Sequence, residues 1–318
     1  MEPYELLEQR LGEWIGNPNV VVCSSGTAAL HLAVETLRPP EGGDLIVPEF
    51  TIVSCARAAS LCGSRPVFAD CDDRLLMTPE TIERVMRRYV WGVMPVHIYG
   101  RRCNMDAIRR MLHGFVVIED MAEAHGVKPH PDSDAACYSF YQNKIVHGEE
   151  GGAVVFKRAE DAEVARSLRC IGLDDHQTYM HRPGGMNYRL PNLLATPILD
   201  SLDQVEDNLR WRDRVAAMYD DAMPEEWKMP PRDVVWVYDF RVPGLTAKEQ
   251  LRVVRALNGL GIRARRAFQP MTLQQEFYKT THGENALRLS REVMYFHVSP
   301  DDDESVVAAN VAALRGVL

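Results

Sequence analysis

The sequence predicts an α/β protein: a large domain on a mostly parallel sheet, followed by a smaller C-terminal α/β domain. Two observations carry this. From Val20 to Asp120, short apolar runs alternate with segments of helical character. After Asn187-Tyr188-Arg189 the alternation gives way to longer helical stretches, interrupted by Pro224, Pro230 and Pro231. The 318 residues, 46% apolar, are long for one compact domain. We therefore expect domains at 1–199 and 200–318.

Taken in order, residues 4–15 carry Leu6, Leu7, Leu11 and Trp14 at helical spacing, closed by Gly16-Asn17-Pro18. Val20 to Cys23 reads as a strand, and Ser24-Ser25-Gly26-Thr27 opens a helix to Leu37. Leu45 to Val47 is the next strand, and Ile52 to Cys62 a helix of small residues. Val67 to Ala69 is a strand ending on Asp70. Thr78-Pro79-Glu80 has the form of an N-cap with proline at the first turn, starting a helix to about Tyr89. Trp91–Val96 is expected as strand, Met105–Leu112 as helix, and Phe115–Ile118 as a strand ending on Glu119-Asp120. Beyond that, 196–222 reads as one long helix with Thr196 as cap and Pro197 first. Trp236–Val242 is a strand. A capping box at Thr246 to Glu249 opens a helix to Leu260, and residues 301–318 form a last helix with acids at its positive end.

Composition excludes several functions. The net charge is −9 with both signs interspersed, which argues against nucleic acid or an acidic membrane as partner. The seven cysteines form no C-x-x-C pair and read as reduced thiols. No run approaches the length of a membrane span, and Met1 to Glu5 lack the features of a signal peptide. A cytoplasmic protein is expected.

Chemistry concentrates in a few places. Lys144 follows the apolar stretch Ala135–Tyr141 and precedes Glu150-Gly151-Gly152 and a second apolar run. A lysine held between two strands can lose its proton and attack a carbonyl, although most lysines at strand ends are solvated. Ser24 to Thr27, between a strand and a helix, offers free N–H groups and hydroxyls to a phosphate, or is an ordinary N-cap. Asp120 ends a strand at the edge where such sheets bind ligands. It is either a turn carboxylate or a partner for a protonated ring nitrogen. His97 and His125 lie near the same edge, but no spacing matches a metal site, and none is expected. A lysine, an acid and a helix N-terminus are together what pyridoxal 5'-phosphate requires, with Ser139 as a further hydroxyl.

The ordered blocks Ser25-Gly26-Thr27-Ala28-Ala29-Leu30-His31-Leu32, Gly43 to Pro48, Pro66 to Asp70, Pro95 to Gly100, Val117 to Gly126, Ser139 to Lys144 with Glu150-Gly151-Gly152, and Asn187-Tyr188-Arg189 carry a resemblance. It runs from about residue 6 to the C-terminus. The chain resembles the DegT–StrS family of sugar aminotransferases, which have the type I aspartate-aminotransferase fold with a seven-stranded type of sheet.

The resemblance implies Lys144 as the Schiff-base lysine and proton shuttle, and Asp120 as partner of the pyridine nitrogen. It implies Gly26, Thr27 and Ser139 at the cofactor phosphate. Asn187 would reach the phosphate of a neighbouring subunit, hence a homodimer with shared sites. Glu123 occupies the place of a usual Gln near the ring oxygen, and Ile52 the place of a usual aromatic on the ring. The chain also begins at the first helix, without the family's usual N-terminal arm. The implied activity is amino transfer from an amino acid, by resemblance glutamate or glutamine, to a keto-sugar, most often nucleotide-linked. A keto-cyclitol or nucleoside derivative as substrate is an alternative, and a non-catalytic regulator a second. Lys144 argues against the regulator and against the dehydratase branch, where a His stands. Residues 173–186 and Arg263 to Gln269 are candidate pocket loops.

Overall fold

A computed structural model describes residues 1–175, 178–279 and 281–318. The sheet and helix order begins α1 Pro3–Ile15, β1 Val20–Cys23, α2 Gly26–Leu37, β2 Gly43–Pro48, α3 Val53–Leu61 and β3 Ser64–Ala69. It continues with α4 Pro79–Glu83, β4 Val90–Val93, α5 Met105–Met111, β5 Val116–Asp120, β6 Ala135–Ser139, β7 Gly152–Phe156 and α6 Ala159–Arg169. A short hairpin of β8 Leu173–Asp175 and β9 Met180–His181 leads to α7 Asn192–Asp203 and α8 Val205–Ala222. The C-terminal part holds β10 Tyr238–Arg241, α9 Ala247–Gly259, β11 Ala264–Arg266, α10 Glu284–Glu292, β12 Val293–Phe296 and α11 Glu304–Val317.

The first seven strands form one sheet in the order β1-β7-β6-β5-β4-β2-β3. The pairs β2–β3, β2–β4, β4–β5 and β5–β6 are parallel. Only β7 runs against its neighbours, β1 and β6. The expected mostly parallel seven-stranded sheet is what the chain forms. Its strands are near-continuous apolar runs because helices cover both faces, so neither face needs polar residues. β1 to β6 all point one way and end on one edge, while β7 starts there.

β10, β12 and β11 form a separate antiparallel sheet with its own apolar core against α8, α9 and α11. Trp236, Val237, Ala267 and Tyr295 pack instead into the core of the large sheet. A buried ion pair also ties the two parts. Arg101 Nη1 and Nη2 donate to Asp239 at 2.7 and 3.1 Å, and Arg232 Nε donates to the same carboxylate at 2.7 Å.

Several elements differ from expectation. The helix after Thr78 spans Pro79–Glu83 and stops well short of Tyr89. The long helix begins at Asn192, four residues before Thr196, and carries Pro197 inside its first turns. A break at Gln204 then divides it into α7 and α8. The expected domain boundary at 199/200 falls within α7. Among the described residues no helix is long and apolar enough to cross a membrane, and all seven cysteines are free thiols, six of them buried.

Candidate active site

The edge where β1 to β6 end holds a cavity of about 350 Å3. That volume lies within the range of small-molecule sites. Most of its lining comes from the turn from β1 into α2, the turn from β2 into α3, the segment after β5 and the segment after β6, and the C-terminal part adds three aromatic residues.

Ser25 caps α2, its Oγ accepting the Ala28 N–H at 3.1 Å. The N–H groups of Gly26 and Thr27 then have no acceptor within the helix. Gly26 is required here, because a Cβ would lie 2.6 Å from Cβ of Ser139 at the end of β6. Gly152, paired with both Cys23 and Ser139, is required for the same kind of reason: its Cβ would lie 2.3 Å from the Ser25 carbonyl oxygen. The two glycines let the end of β6 press against the start of α2. The Thr27 and Ser54 hydroxyls meet at 2.8 Å beside them.

Asp120, buried at the end of β5, accepts the Ala122 N–H at 2.9 Å on one oxygen and the Cys55 S–H at 3.2 Å on the other. Burial raises its pKa, against those two hydrogen bonds and the Lys144 charge. Cys55 sits on α3, and no sequence signal linked it to Asp120.

The Lys144 side chain is 12% exposed, with Nζ 3.7 Å from Glu123 Oε1. Burial lowers its pKa, and the Glu123 and Asp120 carboxylates oppose that shift. Burial pushes the Glu123 carboxyl up to about 7, against the pull of Lys144 and of the Tyr99 N–H, which donates to Glu123 Oε2 at 2.9 Å. Above Lys144 lies Trp236, with Nζ 3.9 Å from the ring centroid. Trp236, Phe268 and Tyr295 form an aromatic wall of the cavity. Of these, only Phe268 fell within a loop that sequence reasoning had marked.

Ile52 also lines the cavity and is 45% exposed. Asn187 does not line it; it lies exposed beside Cys170. The described residues of 173–186 line no part of it, and residues 176 and 177 lie outside the described residues. His97 is structural: its Nδ1 accepts the Cys103 N–H at 3.1 Å, so Nε2 carries the proton it donates to Glu119 at 2.9 Å. His125 Nδ1 accepts the Val146 N–H at 3.0 Å, and burial pushes its pKa down to about 3. His31, Glu35 and Cys62 cluster elsewhere, but Arg38 occupies both Glu35 oxygens and Tyr188 meets His31.

This donor set fits pyridoxal phosphate. A glycine-cradled helix N-terminus with hydroxyls, a buried carboxylate short of a charged partner and a desolvated amine share one cavity. The model of the DegT/DnrJ/EryC1/StrS aminotransferase family matches residues 2–314. GDP-perosamine synthase of Caulobacter vibrioides is 31% identical over 85% of this chain and 77% of its own length. UDP-N-acetyl-3-dehydro-alpha-D-glucosamine 3-aminotransferase of Acidithiobacillus ferrooxidans is 30% identical over 98% of this chain and 88% of its own. The crystal structure of S. venezuelae DesV in complex with a ketimine intermediate superposes with a TM-score of 0.87, at 26% identity, over 99% of this chain and 89% of that one.

Proposed function

The chain belongs to the DegT/DnrJ/EryC1/StrS aminotransferase family, and from that premise we propose that it transfers an amino group from an amino acid, glutamate in the first instance, to the keto group of a nucleotide-linked sugar, with pyridoxal phosphate as cofactor. The observation that carries this is the meeting of Lys144, Asp120 and the N-terminus of α2 in one cavity. The GDP- and UDP-linked chemistry in the names of its relatives supports the substrate class.

Bound pyridoxal phosphate supplies a carbonyl for an amine and a pyridinium that draws electrons from the substrate carbon. Lys144 would be the nucleophile toward that carbonyl, and as a free amine its Nζ would take and return the proton at the reacting carbon. Burial lowers its pKa, which favours the neutral amine that both roles need. Asp120 would hold the proton of the ring nitrogen. Gly26 and Thr27 would offer backbone N–H groups to the phosphate, with the Thr27 and Ser139 hydroxyls beside them. Glu123 would stand near the ring oxygen and Ile52 over the ring. Asn187, exposed on its own chain, would serve a second subunit's phosphate in a homodimer. The seven free thiols suit the cytoplasm.

The test is the absorbance of the protein loaded with pyridoxal phosphate, before and after glutamate, beside Lys144→Ala. The wild type should show a visible band that glutamate bleaches. Borohydride should fix cofactor to the wild type and not to the variant, whose turnover should fall at least about 10³-fold. A wild type that stays colourless with added cofactor overturns the reading. Turnover of an unlinked keto-cyclitol or nucleoside, with none of GDP- or UDP-linked keto-sugars, would replace the substrate class.

A further inference from the structure

Beside the lysine cavity lies a second hollow of about 570 Å3, sharing Tyr141, Asn143 and Trp236 with it. Its wall carries Arg212, Arg263, Arg265, His147 and His297, and among the described residues no carboxylate lines it. This is a concentration of positive groups in a chain whose net charge is −9.

Arg212 is the informative residue. It is 8% exposed, donates from Nη1 to the Trp236 carbonyl at 2.8 Å, and lies 4.4 Å from the centroid of the Trp211 ring. Its Nε is buried without a partner. The other deeply buried guanidinium groups have carboxylates: Arg101 and Arg232 share Asp239, and Arg169 has Glu8. Among the described residues Arg212 has none. A buried charge without a counter-charge is costly, so chains seldom keep one that has nothing to bind. Arg263 and Arg265, on and beside β11, are exposed, and among the described residues their side chains make no hydrogen bond or ion pair.

The local field is correspondingly positive. Burial and then Arg212 lower the pKa of His147. Burial and then the three arginines push His297 down to about 4. Both imidazoles are therefore neutral near pH 7, and the fixed charge of the hollow comes from the guanidinium groups.

We propose that this hollow seats the diphosphate of the nucleotide-linked substrate, with Arg212 as buried anchor and Arg263 and Arg265 at the rim; this rests on the function proposed above. Planar guanidinium forks match phosphate oxygens in pairs. The hollow is large for a single carboxylate, and it shares Tyr141, Asn143 and Trp236 with the lysine cavity, which sets a diphosphate at Arg212 beside a sugar at Lys144. Arg212 also holds the Trp236 backbone, and the Trp236 ring covers Lys144. An anion on Arg212 thus steadies the wall facing the reacting amine.

The cofactor-loaded protein is titrated calorimetrically with inorganic pyrophosphate, UDP, GDP and glutamate, beside Arg263→Gln/Arg265→Gln and Arg212→Met. Pyrophosphate and both nucleotides should bind the wild type, at least about tenfold more weakly to the double variant. Arg212→Met should lose that binding while still melting cooperatively, since it removes an unpaired buried charge together with the donor to the Trp236 carbonyl. Absence of pyrophosphate and nucleotide binding to the wild type, or equal binding to the double variant, overturns the proposal. So does loss of glutamate binding alone in the variants, which would assign the hollow to the amino donor. Diphosphate binding that the variants abolish, in a protein that glutamate does not bleach, keeps the hollow and removes the aminotransferase reading instead.

Discussion

The Nζ of Lys144 stands 3.9 Å from the centroid of the Trp236 indole, and the indole N–H donates to the carbonyl of Asn143, the residue before that lysine, at 2.7 Å. One side chain from the segment leading into β10 therefore fixes both the backbone beside the amine and the apolar face over it. A ring face attracts an ammonium by about 0.5–2 kcal/mol, so Trp236 favours the charged form of Lys144 against the burial that disfavours it.

Replacing the ring tests this. Trp236→Leu keeps apolar bulk without a π face or an N–H donor. It should lose roughly 1–3 kcal/mol of stability and shift the pH midpoint of Lys144 labelling by reductive methylation toward acid. Trp236→Phe should keep the midpoint and lose about 1 kcal/mol for the unpaired Asn143 carbonyl. Equal midpoints in all three proteins would remove Trp236 from the control of Lys144.

The contact of Gly26 with Ser139 yields a second prediction. A Cβ at Gly26 would lie 2.6 Å from the Ser139 Cβ, closer than carbon atoms pack, so α2 must move away from β6. Gly26→Ala should cost roughly 1–3 kcal/mol in urea unfolding, and at least about tenfold in pyridoxal phosphate affinity by equilibrium dialysis. Adding Ser139→Gly should restore most of the stability and only part of the affinity, because a phosphate-facing hydroxyl is lost with it.

Asp239 governs how the two parts of the chain hold together. Burial raises its pKa, but Arg101 and Arg232 outweigh that and hold it below the usual carboxylate value. A depressed folded pKa contributes stability above the unfolded value of about 3.9 and loses it as pH falls through the folded value. Asp239→Asn leaves two buried guanidinium groups facing an amide and should cost about 3–5 kcal/mol at pH 7. Chemical unfolding of both proteins from pH 7 to pH 3 should show the difference shrinking only below about pH 4.

How much of this was legible in the sequence follows from how local each feature is. Ser25, Gly26, Asp120 and Ser139 each end a strand or open a helix, and Lys144 lies in the turn just after β6; apolar periodicity locates such ends without tertiary information. The same periodicity gave the parallel strands of the large sheet. It did not locate the break at Gln204, because the apolar stripe of residues 198–215 runs on through it and no glycine marks it. Pro197 read as a helix start, yet it sits within the first turns of α7, which begins at Asn192. The aromatic wall was hidden for another reason. Trp236 and Tyr295 reach Lys144 only after the C-terminal sheet docks, and nothing near them in sequence carries that distance. Cys55 likewise meets Asp120 only once α3 packs over β2 and β3, bringing it to the end of β5. The unpaired charge of Arg212 was invisible, since a sequence does not say which arginines lack a carboxylate.

Glu123 offers the sharpest test of the lysine's electrostatics. Its Oε2 accepts the N–H of Tyr99, whose φ of 53° is in the left-handed region, and its Oε1 faces Lys144. Glu123→Gln keeps an oxygen for Tyr99 and removes the charge. The amine then loses the carboxylate that most opposes its lowered pKa, so Lys144 should react with aldehydes at more acid pH than in the wild type. Stability follows the same sign. The folded pKa of Glu123, about 7, lies above its unfolded value near 4.3, so its contribution is full below about pH 4.3 and is lost as pH rises through 7. Glutamine does not titrate there. A lysine whose folded pKa is lowered further also gains stability as pH rises, so both effects favour the variant at higher pH. The melting temperature of the cofactor-free variant, relative to wild type, should therefore rise from pH 5 to about pH 7. A difference that stays flat across that range would mean that Glu123 keeps an ordinary carboxylate pKa, and that another group sets the state of Lys144.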